Sequence, residues 1–414
     1  MRKIIRPLRV LLIYPGFPPE EDLAAGVSTC AFELASGLKS LGQKVTVISR
    51  SEKVDKIECQ IVDEISIHRM PSRLHWFKYF GNLMDFKHFG VLLYDYMILR
   101  LIKYLEKRDG NFDVIEVGDF GSEGFALLKD YNDKLIVRCH TPAFIAQKYN
   151  PLNPPYLSRL AMALEKRTLL QAKHLASPSW SLMKEILKQG TILADIKLQN
   201  YPFANRTNYW KKGYKTNFCL DSPMRIIVVG RLEQRKGQDI VCQALNLLND
   251  CNVHLTIDFV GLDTPTSDGT TYKQYLLNIL FPESKKKVRF LGLYPRNNVL
   301  KLYPNYDLYI LSSRFESLGY VVLEAMRAGL PVVAANIGEM PNIIEDNING
   351  ILVDPDNPIA LSKILLRLYR SPDNLKKIGR EGRKYIATNY GNKSIKRILS
   401  HYLCLLQDNM EVPN

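Results

Sequence analysis

The sequence has no C-x-x-C pair and no H-x3-H pair, and its seven cysteines (30, 59, 139, 219, 242, 251, 404) are scattered and odd in number. That excludes a disulfide framework and a zinc site of ordinary spacing, and makes cysteine a small hydrophobe in a reducing compartment. Long apolar runs are also missing. The first, Val10 to Tyr14, stops at Pro15-Gly16, too short for a signal peptide or a membrane span, and reads as a buried first strand. A cytoplasmic chain is the expectation. Low-complexity tracts and short-period repeats are lacking too, which excludes solenoids and fibres.

What is present describes a globular protein. Hydrophobic content of 46% and charged content of 24% are those of a packed, soluble fold. At 414 residues the chain exceeds one ordinary core and suits two domains. The net charge of +14 is spread over both halves: 28 basic against 22 acidic residues in 1–200, and 28 against 20 in 201–414. Such a balance suits polyanions, anionic lipid headgroups or nucleic acid, and a generally solvated basic surface accounts for it equally well.

Short β-branched runs alternate with helical patterns. Candidate strands are Val10–Tyr14, Lys44–Ser49, Ser66–Met70, Asp113–Val117, Lys134–Cys139 and Leu175–Pro178. A second series comprises Arg225–Val229, His254–Val260, Val288–Leu291, Leu308–Leu311, Pro331–Ala335 and Gly350–Val353. Runs such as IIVVG and PVVAA lack alternation, as strands buried on both faces do, so the sheets should be parallel. Helices such as Thr29–Leu41 and Glu316–Gly329 lie between. Two such series predict two doubly wound α/β domains, 1–200 and 224–384, joined by a polar-aromatic linker at 201–223. A helical segment, 385–414, should pack back on the first domain. Residues 73–108, rich in aromatic and basic side chains, read either as an interfacial membrane helix or as a pair of core-packing helices with snorkelling Lys and Arg.

The most informative stretch is Ser312–Asn336 (SSRFESLGYVVLEAMRAGLPVVAAN), which leaves a strand and opens a helix. Ligands of open α/β sheets bind at that end of the strands. The amides of Leu318, Gly319 and Tyr320 would be first-turn donors suited to an anion. Glu316 and Glu324 lie eight steps apart, about 12 Å at most at helical rise. One extended ligand could meet both carboxylates with hydroxyls while its anionic middle sits on the amides. A nucleotide sugar has that layout. The plain alternative is a helix with one acid near its N-terminus and another facing solvent. A second motif, GRLEQRKG (Gly230–Gly237), follows the strand RIIVV. Its Arg231 and Lys236 could neutralise a diphosphate.

These motifs together, G-R-L-x-x-x-K-G, E-x7-E and A-x-G-x-P-V-V-A, resemble glycosyltransferase family 4. The N-terminal glycine loop and first helix, His140-Thr141-Pro142 and the stretch EKRTLLQAKHLASPS (165–179) extend the resemblance over nearly the whole chain. It implies a GT-B fold, two Rossmann-like domains facing across a cleft, and a retaining, metal-independent transfer from a nucleotide sugar with no cofactor. By position, Glu316 would hold the donor sugar, Glu324 the ribose, and Arg231 and Lys236 the diphosphate. Gly26 would bring an amide from the other domain, and His140 would stand at the reacting sugar. The chain departs from the family in having Ala25-Gly26 for a Gly-Gly pair and His174 for an acid. The implied partners are a UDP- or GDP-sugar and a glycan, lipid-linked or small-molecule acceptor, with peripheral contact to an anionic inner membrane face and no nucleic acid. A nucleotide-sugar epimerase and a non-catalytic basic binding protein are the rival readings. Asp354-Pro355-Asp356 reads as a turn rather than a metal pair, and Gly118, Gly121 and Gly124 as packing glycines beside Asp119.

Overall fold

A computed structural model describes residues 6–17, 25–51, 53–71, 84–121, 123–153, 159–192, 194–199, 202–203, 218–219 and 222–411. The linker expected at 201–223 falls largely outside them. The chain forms two compact units, one comprising Met1–Ile145, Pro155–Asn205 and Tyr390–Asn414, the other Ala146–Pro154 and Arg206–Asn389.

The first unit is built on β1 (Arg9–Tyr14), β2 (Lys44–Ser51), β3 (Glu58–Val62), β4 (Ile65–Pro71), β5 (Val114–Gly118), β6 (Leu135–Arg138), β7 (His174–Ser177) and β8 (Asp195–Leu198). Their order in the sheet is β3-β4-β2-β1-β5-β6-β7-β8. Every pairing is parallel except β3 with β4. The expected strands appear within a residue or two of their bounds, whereas β3 and β8 were not foreseen. β3 is a mostly exposed edge joined to β4 through Asp63 and Glu64, both left-handed (φ 48° and 63°). Hairpin turns of that geometry ordinarily carry Asn-Gly or Asp-Gly, so the Asp-Glu pair hides it.

Helices α1 (Ala25–Ser40), α2 (Met84–Asp109), α3 (Ala143–Lys148) and α4 (Arg159–Gln171) accompany this sheet, the chain passing to the second unit inside α3. Where residues 73–108 suggested a membrane-surface helix or two helices, the described part is the single helix α2. It buries Tyr94, Ile98, Leu101, Ile102 and Leu105 and exposes Tyr96, Arg100, Lys103, Tyr104 and Lys107.

The second unit has β9 (Met224–Val229), β10 (Leu255–Val260), β11 (Val288–Gly292), β12 (Leu308–Leu311), β13 (Val332–Ala335) and β14 (Ile351–Val353), ordered β11-β10-β9-β12-β13-β14 and all parallel. β12 and β13 are buried at every residue, as strands covered on both faces must be. The order reverses between β9 and β12, so the loops leaving those strands flank the switch point where such sheets bind ligands. Helices α5 (Gln238–Asn246), α6 (Arg296–Leu302) and α7 (Tyr320–Ala328) frame it.

The last helix, α8 (Asn392–Glu411), returns to the first unit. Ile395, Ile398, Tyr402 and Leu405, spaced on one helical face, join the core of Leu8, Val10, Leu34 and Leu38. A Cβ at Gly37 of α1 would overlap the Ile395 side chain, so that glycine sets how closely α1 and α8 pack. Among the described residues no helix is long and apolar enough to cross a membrane.

Candidate active site

In the second unit the two motif loops meet at the switch point. The loop after β9 carries Arg231 and Lys236 and ends at Gly237, whose φ of 66° is left-handed. A Cβ there would overlap the Ser312 carbonyl oxygen, so glycine is required by both conformation and space. The loop after β12 carries Arg314, Glu316, Leu318 and Gly319. Arg314 ties the two together, donating its Nη1 to the Gln234 carbonyl (2.6 Å) and gripping the Asp239 carboxylate with both terminal nitrogens (2.8 and 2.7 Å). Its backbone N–H donates to the Arg235 carbonyl at 2.7 Å.

At the centre Lys236 Nζ donates to Glu316 Oε2 at 2.5 Å. Burial alone would push the Glu316 carboxyl up, but Lys236 and then Arg235 more than offset it, holding it below the usual carboxylate range. Burial draws the Lys236 ammonium down, with Glu316 opposing. Arg231 is partly exposed (43%) and its Nε lies 3.5 Å from Oε2 of the buried Glu233, which also accepts from Arg235 Nη2 at 2.6 Å.

Helix α7 begins later than its sequence pattern suggests, at Tyr320 rather than Glu316. Gly319 is its N-cap with φ 75°, a left-handed turn favouring glycine. Glu316 and Leu318 therefore precede the helix, and Leu318, Gly319 and Tyr320 are all buried. Glu324 is on the helix but does not face solvent: it is 3% exposed and accepts from Arg296 Nε at 2.7 Å. Sequence reading missed Arg296, at the start of α6, because nothing around it marks a motif. Arg314 lay inside the recognised segment, and its strand-end position was the available signal.

Gly26, His140 and Asp119 lie in the first unit. Gly26 is in the first turn of α1 rather than in a loop, and a Cβ there would meet nothing within 4 Å. Packing within the protein therefore does not demand glycine at that point. His140 follows β6 and is buried; its N–H donates to Asp119 Oδ2 at 2.7 Å, and its ring lies 6.0 Å from that of Tyr14. Burial, with Arg138 adding, lowers the imidazole to about 3, so it is neutral at physiological pH. Burial raises the Asp119 carboxyl to about 7. Glu165, on α4, accepts from the Ala143 N–H at 2.6 Å. Two carboxyl groups thus hold both ends of the His140–Ala143 turn. Beneath it Arg138 makes two bonds to Glu116 (2.7 and 2.9 Å), whose oxygens also accept from Tyr14 and, at 2.5 Å, Tyr402 of α8.

Two doubly wound sheets, parallel but for the edge strand β3, with a basic-acidic pair at the second switch point, place the molecule among the GT-B proteins. It shares that fold with sucrose-phosphate synthase from Thermosynechococcus elongatus (TM-score 0.72, 17% identity, 97% of this chain and 100% of that one). Anabaena HepE in complex with UDP and glucose is similar too (TM-score 0.66, 16% identity, 96% and 99%). The model for Glycosyltransferase Family 4 matches residues 24–197, and that for Glycosyl transferases group 1 matches residues 219–385. The chain belongs to the glycosyltransferases of family 4 type. Relatives include spore coat protein SA of Bacillus subtilis, 26% identical over 220 residues, 52% of this chain and 58% of that protein. D-inositol 3-phosphate glycosyltransferase of Salinispora tropica is 29% identical over 189 residues, 44% of this chain and 39% of that one. The match thus spans about two to three fifths of the length of these two relatives. Glycogen synthase of Mycobacterium tuberculosis is 24% identical over 395 residues, 92% and 91% of the two chains.

Proposed function

We propose that this protein is a retaining glycosyltransferase that moves a hexose-type sugar from a UDP- or GDP-sugar to a hydroxyl of a glycan, lipid-linked or small-molecule acceptor. The observation that carries the reading is the contact between Lys236 and Glu316. In a nucleotide sugar the hydroxyl-bearing ring is bonded directly to an anionic phosphate. A carboxylate and an ammonium in contact offer that pair of groups an acceptor and a cation side by side. The ammonium has three donors, so its bond to Glu316 leaves two for phosphate oxygens. HepE, whose complex contains UDP and glucose, lends support to the donor class.

In this reading Arg231 and Lys236 neutralise the diphosphate, joined by the amides of Leu318, Gly319 and Tyr320 at the start of α7. Glu316 holds the sugar hydroxyls. Glu324, oriented by Arg296, takes the ribose hydroxyls. Gly26 offers a first-turn amide, and the open space at its α-carbon suits close approach of a phosphate. His140, neutral and fixed through its backbone to Asp119, accepts or donates a single hydrogen bond at the reacting sugar and carries no charge.

The transfer breaks the bond between the anomeric carbon and the phosphate oxygen while the acceptor oxygen bonds to that carbon. Positive charge on the ring and negative charge on the diphosphate grow together, and the fixed cations and α7 stabilise the latter. The departing phosphate takes the acceptor's proton on the same face. No strong general base is needed, in keeping with a neutral His140, and the two basic side chains make the transfer metal-independent.

Incubation with the nucleotide sugar alone separates this from an epimerase on the same architecture. Nucleotide release by hydrolysis, without a new epimer, supports the transferase. A new epimer of the donor in the absence of acceptor overturns it.

A further inference from the structure

The loop bearing Arg231 and Lys236 is held by a short segment from far away in the sequence. Residues 146–154 belong to the second unit although the chain on both sides belongs to the first. Asn150 is fully buried, and its Oδ1 accepts the Arg235 N–H at 2.6 Å. Asn153, 4% exposed, donates its Nδ2 to Thr264 Oγ1 (2.8 Å) and to the Pro265 carbonyl (2.7 Å). Thr264 passes the bond on, donating to the Leu232 carbonyl of the same loop. The Leu152 carbonyl accepts the Ser267 N–H at 2.6 Å, and the Tyr149 ring stacks on Phe315, with centroids 4.9 Å apart, one residue before Glu316.

Buried amides must be paired, and a side chain that satisfies a loop amide selects one conformation of that loop. Here the partners come from the segment that follows His140 directly: the His140–Ala143 turn, then α3, then Tyr149. We infer that Tyr149–Asn153 is a positioning strap, in which Asn150 sets the geometry of the Arg231–Lys236 loop and through which the occupancy of that loop is felt at the His140 turn. The inference rests on the proposed nucleotide-sugar reading. Asn150 and Asn153 are positioning residues and need touch no substrate.

The probes are UDP and GDP, titrated calorimetrically into the full chain, with amide hydrogen exchange followed in parallel. Asn150→Ala should weaken binding of the preferred nucleotide about tenfold, ~1.4 kcal/mol. Asn150→Asp, which keeps an acceptor oxygen for the Arg235 N–H, should bind within about threefold of wild type. In wild type the nucleotide should slow exchange across 143–153 as well as 231–237; in Asn150→Ala it should slow only the latter. Binding by Asn150→Ala within about twofold of wild type overturns the inference. So does unchanged protection of 143–153 in that variant, or a folded Asn150→Asp as weak as Asn150→Ala. If Asn150→Ala does not fold, Asn153→Ala decides, weakened binding supporting the strap and wild-type binding overturning it. Failure of the wild type to bind either nucleotide overturns instead the function on which the inference stands.

Discussion

Lys236 and Glu316 are 80 positions apart in sequence and 2.5 Å apart in the fold. Each comes from a loop leaving a strand at the point where the order of the second sheet reverses. Topology therefore brings together what the sequence keeps apart. Removing one member alone strands the other. Lys236→Ala leaves the Glu316 carboxylate, 10% exposed, without its main partner and should destabilise the protein by roughly 3 kcal/mol. Lys236→Met combined with Glu316→Gln should recover most of that stability in urea unfolding, yet show no sugar transfer. A double variant that is active would remove the pair from the proposed chemistry.

Gly237 offers a sharper structural test. Its left-handed φ and the adjacent Ser312 carbonyl leave no room for a methyl group. Gly237→Ala should cost on the order of 2 kcal/mol or more in thermal unfolding and abolish nucleotide binding. Gly26→Ala should behave differently, since a Cβ there has open space. Its melting temperature should stay close to that of wild type while donor affinity falls. Unchanged affinity would show that no ligand approaches Gly26 closely.

The His140 turn makes two opposing contributions to the pH dependence of stability. Burial raises the Asp119 carboxyl from an ordinary 3.8 to about 7. Between those values the folded protein keeps a proton that the unfolded chain has released, so stability falls as pH rises through the window. His140 works in the opposite sense: lowered from 6.5 to about 3, it makes stability fall as pH drops between those values. That contribution is common to wild type and Asp119→Asn and cancels in their difference. The stability of Asp119→Asn relative to wild type should therefore improve from pH 4 to pH 7, by up to a few kcal/mol. Urea unfolding of both proteins across that range checks it, and a flat difference contradicts it.

Much of this architecture could be read beforehand, for physical reasons. Strands buried on both faces leave near-continuous apolar runs, so the central strands of both sheets were visible. β3 and β8 were not, because exposed edge strands such as ECQIV and DIKL carry mixed residues. Lys236 and Glu316 could be singled out because glycines and a strand end mark their loops, and Glu324 because it follows in the helix that the second loop opens. Pairings were another matter. Nothing in one dimension joins Lys236 to Glu316, Arg296 to Glu324 or Asn150 to Arg235, since each depends on where distant parts of the chain meet. The start of α7 was misjudged because Gly319, treated as part of the helix, is its left-handed cap.

We further propose that the exposed face of α2 contacts an anionic membrane surface. Tyr96 and Tyr104 are 54% and 59% exposed, and Arg100, Lys103 and Lys107 share their stripe. Lys103 pairs with Asp130 at 2.7 Å, so Arg100 and Lys107 are the better targets. Arg100→Glu with Lys107→Glu should reduce binding to phosphatidylserine-containing vesicles at least about tenfold, at ~1 kcal/mol per basic residue. Wild-type sedimentation with neutral and anionic vesicles alike would contradict the proposal.

In the proposed reaction a sugar leaves a nucleotide with its anomeric configuration kept. The direct measurement is nuclear magnetic resonance of the product formed from the UDP- or GDP-sugar that most stabilises the protein against heat, with an acceptor found by mass spectrometry. The expected product carries a new glycosidic bond of the same anomeric configuration as the donor, with one nucleoside diphosphate released per bond, and neither forms with Glu316→Gln. Inverted configuration, or full turnover by Glu316→Gln, would contradict it.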